Sequence, residues 1–404
     1  MRKTKLIKQI INENQHNIAF IIGNGIHYQY HDCDISWEEL LKSLWEEYNG
    51  DCDIDFKHLK GISFTEFYDI IEMNAYNEQR SRWNFSELAS VQPKIKFTQK
   101  DFSKLFSSDT IQLALKVTYD KTSYIEKLKN YHYDKFRKSY DNLIKTSRKW
   151  CEDNFENASN WSDEMCISQM TSVISNNKKI KILKDAVKHN IVNKFPQKNN
   201  YNLLECANFI KELNAPILTT NFDTYISDSL QASRRIFMPK DNLYKFNDFY
   251  PWNVYFSEKD IDNSLDEFAV WHINGMTDYH RSIKLGLSDY MGCVERSRKM
   301  IQGDNSLNEF FSGKNNEFWI GYNTWLHVLF NKNLFIFGLT LDENEVFLRW
   351  LLIQRAKYSR MYNTQLKGWY INKKIPNGKR FFLEQLGLEV IDIKNYDDLY
   401  NAFK

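Results

Sequence analysis

The chain has 404 residues, of which 42% are hydrophobic and 15% aromatic, enough for a large core and too apolar for global disorder. Its formal net charge of +2 gives no overall reason to expect a polyanionic partner, and no apolar run approaches the length that spans a bilayer. The six cysteines (Cys33, Cys52, Cys151, Cys166, Cys206 and Cys293) include no Cys-x-x-Cys pair, so the paired thiolates of a zinc ribbon are missing and no metal is expected.

Met1 to Lys5 is basic, but Leu6-Ile7-Lys8-Gln9-Ile10-Ile11 has the spacing of an amphipathic helix rather than of a signal-peptide core, and a cytoplasmic location is expected. Ile18-Ala19-Phe20-Ile21-Ile22 predicts a buried strand that ends in Gly23-Asn24-Gly25-Ile26-His27. A Gly-x-Gly turn opening a helix lets backbone N–H groups approach a pyrophosphate, although Tyr28 stands where a full dinucleotide fingerprint would continue. Ser36 and Glu39 make a capping box for a helix through Trp37, Leu40, Leu41, Leu44 and Trp45.

From residue 62 to 205 the chain reads as mostly helical, with apolar positions at Phe64, Phe67, Ile70 and Ile71 and again at Leu113, Leu115 and Val117. This predicts a helical insertion, 62–205, between segments 1–61 and 206–404 of one α/β domain, covering the pocket or forming a subunit contact. The Lys/Tyr stretch from Tyr124 to Tyr131 could grip single-stranded nucleic acid, but a solvated helix face with tyrosines packed inward is the preferred reading.

A helix over 202–213 leads to a strand at 216–219 that delivers Thr220, Asn221 and Asp223 to its carboxyl end, where doubly wound folds bind ligands. Asn221 reads equally as a turn residue and Asp223 as the cap of the next helix. Arg234, Arg235 and Lys240 follow, then Phe249-Tyr250-Pro251-Trp252, expected as packing or lid material. Phe268-Ala269-Val270 runs into Trp271-His272-Ile273-Asn274-Gly275, and Leu334-Phe335-Ile336-Phe337 into Gly338-Leu339-Thr340-Leu341-Asp342. Asp342, Glu343 and Glu345 suit the dipole of the helix that follows. Closing strands at 368–371 and 388–391, a short helix between them and a last helix from Tyr396 to Phe403 complete a Rossmann-like, doubly wound parallel sheet.

Gly23-Asn24-Gly25, Thr220-Asn221-Phe222-Asp223, the strand end at His272 to Gly275 and Gly338-Leu339-Thr340-Leu341 occur in the order of the signposts of the sirtuin family. In this order they resemble the divergent bacterial sirtuin-like proteins of antiphage defence, over roughly residues 18–50 and 205–395. The resemblance implies a pocket for NAD+ as substrate, with Gly23, Asn24, Gly25, Thr220, Asn274, Gly338 and Thr340 binding it, Thr340 on the adenosine side. It implies catalytic roles for Asn221, Asp223 and His272, with water as acceptor: an NAD+ hydrolase that depletes NAD. The family places its general-base His directly before the glycine, where this chain has Asn274; His272 lies two positions earlier, on the same side of an extended strand. His272 is then either that base or a buried histidine satisfied by the backbone. His27 stands where sirtuins commonly have Ser and is expected as a pocket-wall or helix-start residue, and Lys284 to Tyr290 is expected to shape the rim. Control through homo-oligomerisation or a translocase-type partner ATPase is also implied. The alternatives are a nucleotide sensor without turnover, a deacylase, disfavoured without a zinc ribbon, and a nucleic-acid-binding effector.

Overall fold

The computed structural model describes residues 2–27, 36–49, 61–78, 144–155, 158–163, 165–166, 169–170, 183–192, 205–237, 250–302, 314 and 317–404. Tyr28, Cys33, Cys52, Lys240, Phe249, the positions 113, 115 and 117 and the Lys/Tyr stretch 124–131 lie outside the described residues. The chain divides into two compact units, one of Met1–Ile71 with Ala186–Lys404 and one of Glu72–Asp185.

The first unit is built on an eight-stranded sheet. Its strands are β1 (Ile18–Ile22), β2 (Ile217–Thr219), β3 (Ser233–Ile236), β4 (Val254–Ser257), β5 (Val270–His272), β6 (Asn333–Phe337), β7 (Gly368–Asn372) and β8 (Glu389–Asp392). Side by side they run β3-β4-β5-β2-β1-β6-β7-β8. Strands β5, β2, β1, β6, β7 and β8 are mutually parallel. Numbered in chain order, these run 3-2-1-4-5-6, the order of a doubly wound Rossmann-like sheet whose direction of winding reverses between β1 and β6.

The sheet is mixed rather than wholly parallel, which corrects the sequence expectation. Strands β3 and β4 form an antiparallel ribbon on the edge beside β5. Ser233-Arg234-Arg235-Ile236 is largely exposed, so it lacks the apolar run that marks a buried parallel strand. Its charged side chains suit a sheet edge instead.

All five residues of β1 are buried, because both faces of the sheet are covered. Phe20 and Ile22 face a layer that includes Ile7 and Ile11 of helix α1 (Arg2–Asn14), Ile210 and the C-terminal Phe403. Ala19 and Ile21 face the opposite layer, with Leu326 and Leu329 of a helix at Trp325–Asn331 and Leu348 and Leu351 of a helix at Val346–Tyr362. The period-two alternation of β1 thus separates two hydrophobic layers. Arg355, buried in the second layer, donates to the carbonyls of Leu329, Lys332 and Lys367 at 3.0, 3.0 and 2.9 Å, stitching one helix end to the entry of β7.

In the second unit the described residues include a helical segment through Trp150 whose Arg148 Nε donates to Asp163 Oδ1 at 2.9 Å. Trp150, Phe155 and Trp161 pack ring against ring, and Cys151 and Cys166 are both buried. Burial pushes the Cys151 thiol up to about 12, which makes it a packing group rather than a nucleophile.

Candidate active site

The strand order sets β5, β2, β1 and β6 next to one another, all parallel, so their carboxyl ends form one continuous rim. Each end carries an expected site segment: Gly23-Asn24-Gly25 after β1, Thr220-Asn221 after β2, Asn274-Gly275 after β5 and Gly338 after β6. The switch point of a doubly wound sheet, where helices diverge and leave a crevice, falls between the first and last of these turns.

The two glycine turns touch. Gly23 N donates to the carbonyl of Phe337 at 3.1 Å and Gly25 N to that of Gly338 at 2.6 Å. A Cβ on Gly23 would lie 2.5 Å from Gly338 O, and one on Gly25 would lie 2.9 Å from Gly338 Cα. Gly338 itself has φ +73, in the region that glycine tolerates. These glycines therefore let two backbones pass at contact distance. Their amide hydrogens face β6 and its turn, not a ligand, which differs from the expected use of the Gly-x-Gly motif.

Across the rim lies a knot of buried polar groups. Thr219 Oγ1 donates to the Ile22 carbonyl at 3.0 Å and accepts from Asn221 N at 3.1 Å, while Thr220 N donates to the same carbonyl at 3.1 Å. This turns the chain sharply and lifts Asn221 over β1. Its carboxamide Nδ2 lies 3.3 Å from His27 Nε2, and that nitrogen lies 3.0 Å from Asp223 Oδ2. Asp223 Oδ1 accepts from Tyr225 N at 3.0 Å, so the residue also fulfils the helix-start role open to it from sequence. On the far side His272 Nδ1 donates to the Asn221 carbonyl at 2.9 Å.

That last bond fixes a tautomer. A carbonyl only accepts, so Nδ1 carries the proton and Nε2 of the neutral ring keeps its lone pair. Burial holds His272 below the ordinary imidazole value, outweighing the opposing influence of the Asn221 carbonyl and the Asp223 charge, and the ring stays neutral at physiological pH. Burial pulls Asp223 the other way, upward, but His27, the Tyr225 amide and His272 together hold it below the ordinary carboxyl value. Among the described residues His272 Nε2, Asn221 Oδ1 and Asn274 Oδ1 are buried without a protein hydrogen-bond partner. Such an atom costs about 1–3 kcal/mol each, a cost tolerated where a ligand supplies the missing bond.

Asn274 is 1% exposed and is followed by Gly275 at φ +95, where the chain reverses. The loop beyond returns so that Lys284 N donates to the Asn274 carbonyl at 2.9 Å. A helix at Phe64–Glu78 is tied to both neighbouring loops: Phe64 N donates to Asn344 Oδ1 at 2.8 Å, and Leu287 N to Asp69 Oδ2 at 3.1 Å. Trp37 meets Phe222 edge to face at 5.7 Å. The segments 36–49 and 64–71 thus flank the rim.

Gly23, Asn24, Gly25 and Gly338 come together, and so do Thr220, Asn221, Asp223, His272 and Asn274. Thr340 stands apart. It is exposed and its hydroxyl donates to Asp342 Oδ2 at 2.8 Å, while Tyr370 OH and Lys379 Nζ donate to its carbonyl at 2.7 and 2.8 Å. His27, fully buried, is the member of the knot that sequence reasoning set aside. Its signal was a titratable side chain one helical turn beyond Gly23, on the same strand end as the glycines.

Glu345 is not the simple dipole-facing carboxylate expected. Partial burial, assisted by the charge of Asp342, raises it to about 7. A raised carboxyl is neutral and comfortable below its unfolded value near 4.5 and loses stability as pH rises through about 7. Glu345→Gln is accordingly expected to gain stability relative to the wild type on going from pH 5 to pH 8, by on the order of 1 kcal/mol or more. Denaturant unfolding of both proteins at the two pH values measures this, and a pH-independent difference refutes it.

Among the described residues no group of three or more His, Cys, Asp or Glu side chains is placed to hold a metal ion. No helix among them is long and apolar enough to cross a membrane. No protein-family model matches the chain, and comparison with curated proteins gives no match either.

Proposed function

We propose that the rim formed by β5, β2, β1 and β6 binds NAD+ and that the protein cleaves its nicotinamide–ribose bond with water. The observation that carries this reading is the neutral His272 ring, held by the Asn221 carbonyl so that a bare, buried Nε2 and the Asn221 carboxamide stand at the carboxyl ends of the adjacent parallel strands β5 and β2. Water attacks C1′ of the nicotinamide ribose and the C1′–N bond breaks. The bonding electron pair neutralises the pyridinium, and the proton of the water passes to His272 Nε2. Positive charge develops on the sugar in such a step, so holding the ribose and the water in line is the main task, and Asn221 does so by hydrogen bonding. Asp223 fixes local geometry, and the Gly23–Gly25 and Gly338 turns form the floor by packing on each other. Asn24, Thr220 and Asn274 line the dinucleotide's path, with Thr340, which stands apart from them, reached at most by the adenosine end.

The products are ADP-ribose and nicotinamide. The resemblance to sirtuin-like defence proteins gives the activity a purpose, depletion of NAD during phage infection, and a need for control through self-association or a translocase-type ATPase. One observation favours a second reading, a sensor that binds NAD+ or ADP-ribose without turnover: Asn274 occupies the position directly before the glycine where the family has its base. Incubating the purified protein with NAD+, alone and with the products of its native operon, and quantifying nicotinamide separates the two. Stoichiometric binding without release in both settings defeats the cleavage reading.

A further inference from the structure

Asn221 is gripped at both ends. Its carbonyl receives His272 Nδ1–H at 2.9 Å, and its carboxamide meets His27 Nε2 at 3.3 Å. His27 Nε2 also faces Asp223 Oδ2 at 3.0 Å, so one ring nitrogen serves two neighbours. A nitrogen has a single in-plane position, occupied by a proton or by a lone pair. With the proton on Nε2, the carboxylate accepts it, and the carboxamide meets that N–H only by turning its oxygen inward as a second acceptor in a three-centre bond, which sends its NH2 outward. With Nε2 bare, the carboxamide keeps its NH2 inward and offers its oxygen to the crevice. The far oxygen of Asp223 is held by Tyr225 N at 3.0 Å, and the His27 ring packs edge-on against Tyr225 at 5.7 Å, so the His27–Asp223 pair is fixed in place.

We propose that His27, with its proton placed by Asp223, is a positioning residue that sets which end of the Asn221 carboxamide meets the substrate. This rests on the cleavage reading for its effect on rate, although the hydrogen-bond assignment stands independently of turnover. His27 touches no reacting atom in this scheme. It acts through Asn221, and Asp223 acts through His27. The two carboxyl-end segments that supply them, after β1 and after β2, are thereby locked in register by side chains as well as by the ladder.

Two experiments test this, one with and one without chemistry. Kinetics of NAD+ cleavage are compared for the wild type, His27→Phe, which keeps an aromatic ring of similar size, and His27→Gln, whose side-chain amide returns an N–H near the position of Nε2. His27→Phe is expected to lower kcat about 100-fold while KM stays within about threefold, the size of effect that a small misplacement of an orienting group produces. His27→Gln is expected to recover most of that loss. Retained kcat in His27→Phe overturns the proposal, as does a folded His27→Gln no better than His27→Phe. In the second experiment, 15N spectra of histidine-labelled free protein are recorded for the wild type and Asp223→Asn, with His27→Gln identifying the His27 signals by their loss. The wild type is expected to carry the His27 proton on Nε2 at neutral pH, and Asp223→Asn to shift it to Nδ1. A wild-type His27 with bare Nε2, or no change in Asp223→Asn, overturns the assignment. If the wild type releases no nicotinamide either alone or with the products of its native operon, the cleavage reading falls while the spectra still decide the His27–Asp223 pair.

Discussion

If the protein cleaves NAD+ as proposed, Asn221→Ala and His272→Ala are each expected to lower the rate of nicotinamide release, by about 1,000-fold and about 100-fold respectively. Asn221 is expected to weigh more because two functions meet in its side chain: the carboxamide orients water or ribose, and it closes the contact with His27. Truncation to alanine keeps the carbonyl, so the His272 ring remains held and the loss reports the carboxamide alone. His272→Ala removes the proton acceptor but leaves the ribose held, and proton transfer by a positioned base contributes about 100-fold to 10,000-fold in general. Binding of ADP-ribose should weaken less than about tenfold in either variant, since the glycine crossing and the β6 turn are untouched. Activity of His272→Ala equal to wild type would remove the imidazole from the mechanism and favour its reading as a buried, backbone-satisfied histidine.

Gly275→Ala is expected to be the most damaging single methyl in the first unit. The backbone there has φ +95, and an added Cβ would lie 2.1 Å from the Ser282 carbonyl oxygen, 2.3 Å from its carbon and 2.7 Å from Ile283 N. All three are backbone atoms, so no side chain can swing aside. The loop from Asn274 to Lys284 must open, breaking the Lys284 N to Asn274 carbonyl bond and the Met276 N to Ser282 Oγ bond, both of 2.9 Å. Together with the strained φ this is a loss of more than about 4 kcal/mol. Denaturant unfolding of soluble variant, or its failure to accumulate as folded protein, measures the effect. A stability within about 1 kcal/mol of wild type would show that the loop has another conformation. Gly61, also at positive φ but with open space around its Cβ position, serves as the control.

The strand ends were legible in the sequence because a parallel strand covered on both faces must be apolar throughout and must stop abruptly where it meets the crevice. Ile18 to Ile22 and Leu334 to Phe337 show that transition within one residue. The antiparallel ribbon of β3 and β4 was not legible, since an exposed edge strand such as Ser233 to Ile236 carries no apolar signal and its pairing with β4 is a tertiary event. The His27–Asp223 contact joins positions 196 residues apart, and nothing local to either residue announces it. The glycines illustrate a subtler gap. Sequence shows that a side chain is forbidden at Gly23 and Gly25, but not whether the space is needed by a ligand or, as here, by the Gly338 backbone. Glu345 shows the same gap in electrostatics: its place at a helix start was readable, while the burial that raises it was not.

The central claim is that four strand ends, distant along the chain, make one cradle for a pyridine dinucleotide. The most direct measurement is a crystal structure of the protein with carba-NAD, in which the scissile C1′–N linkage resists hydrolysis. The account predicts the nicotinamide ribose against Asn221 and His272 and the adenosine half running past Gly25 and Gly338. Carba-NAD seated anywhere else, or crystals soaked at saturating concentration that leave this rim without it, would contradict the account.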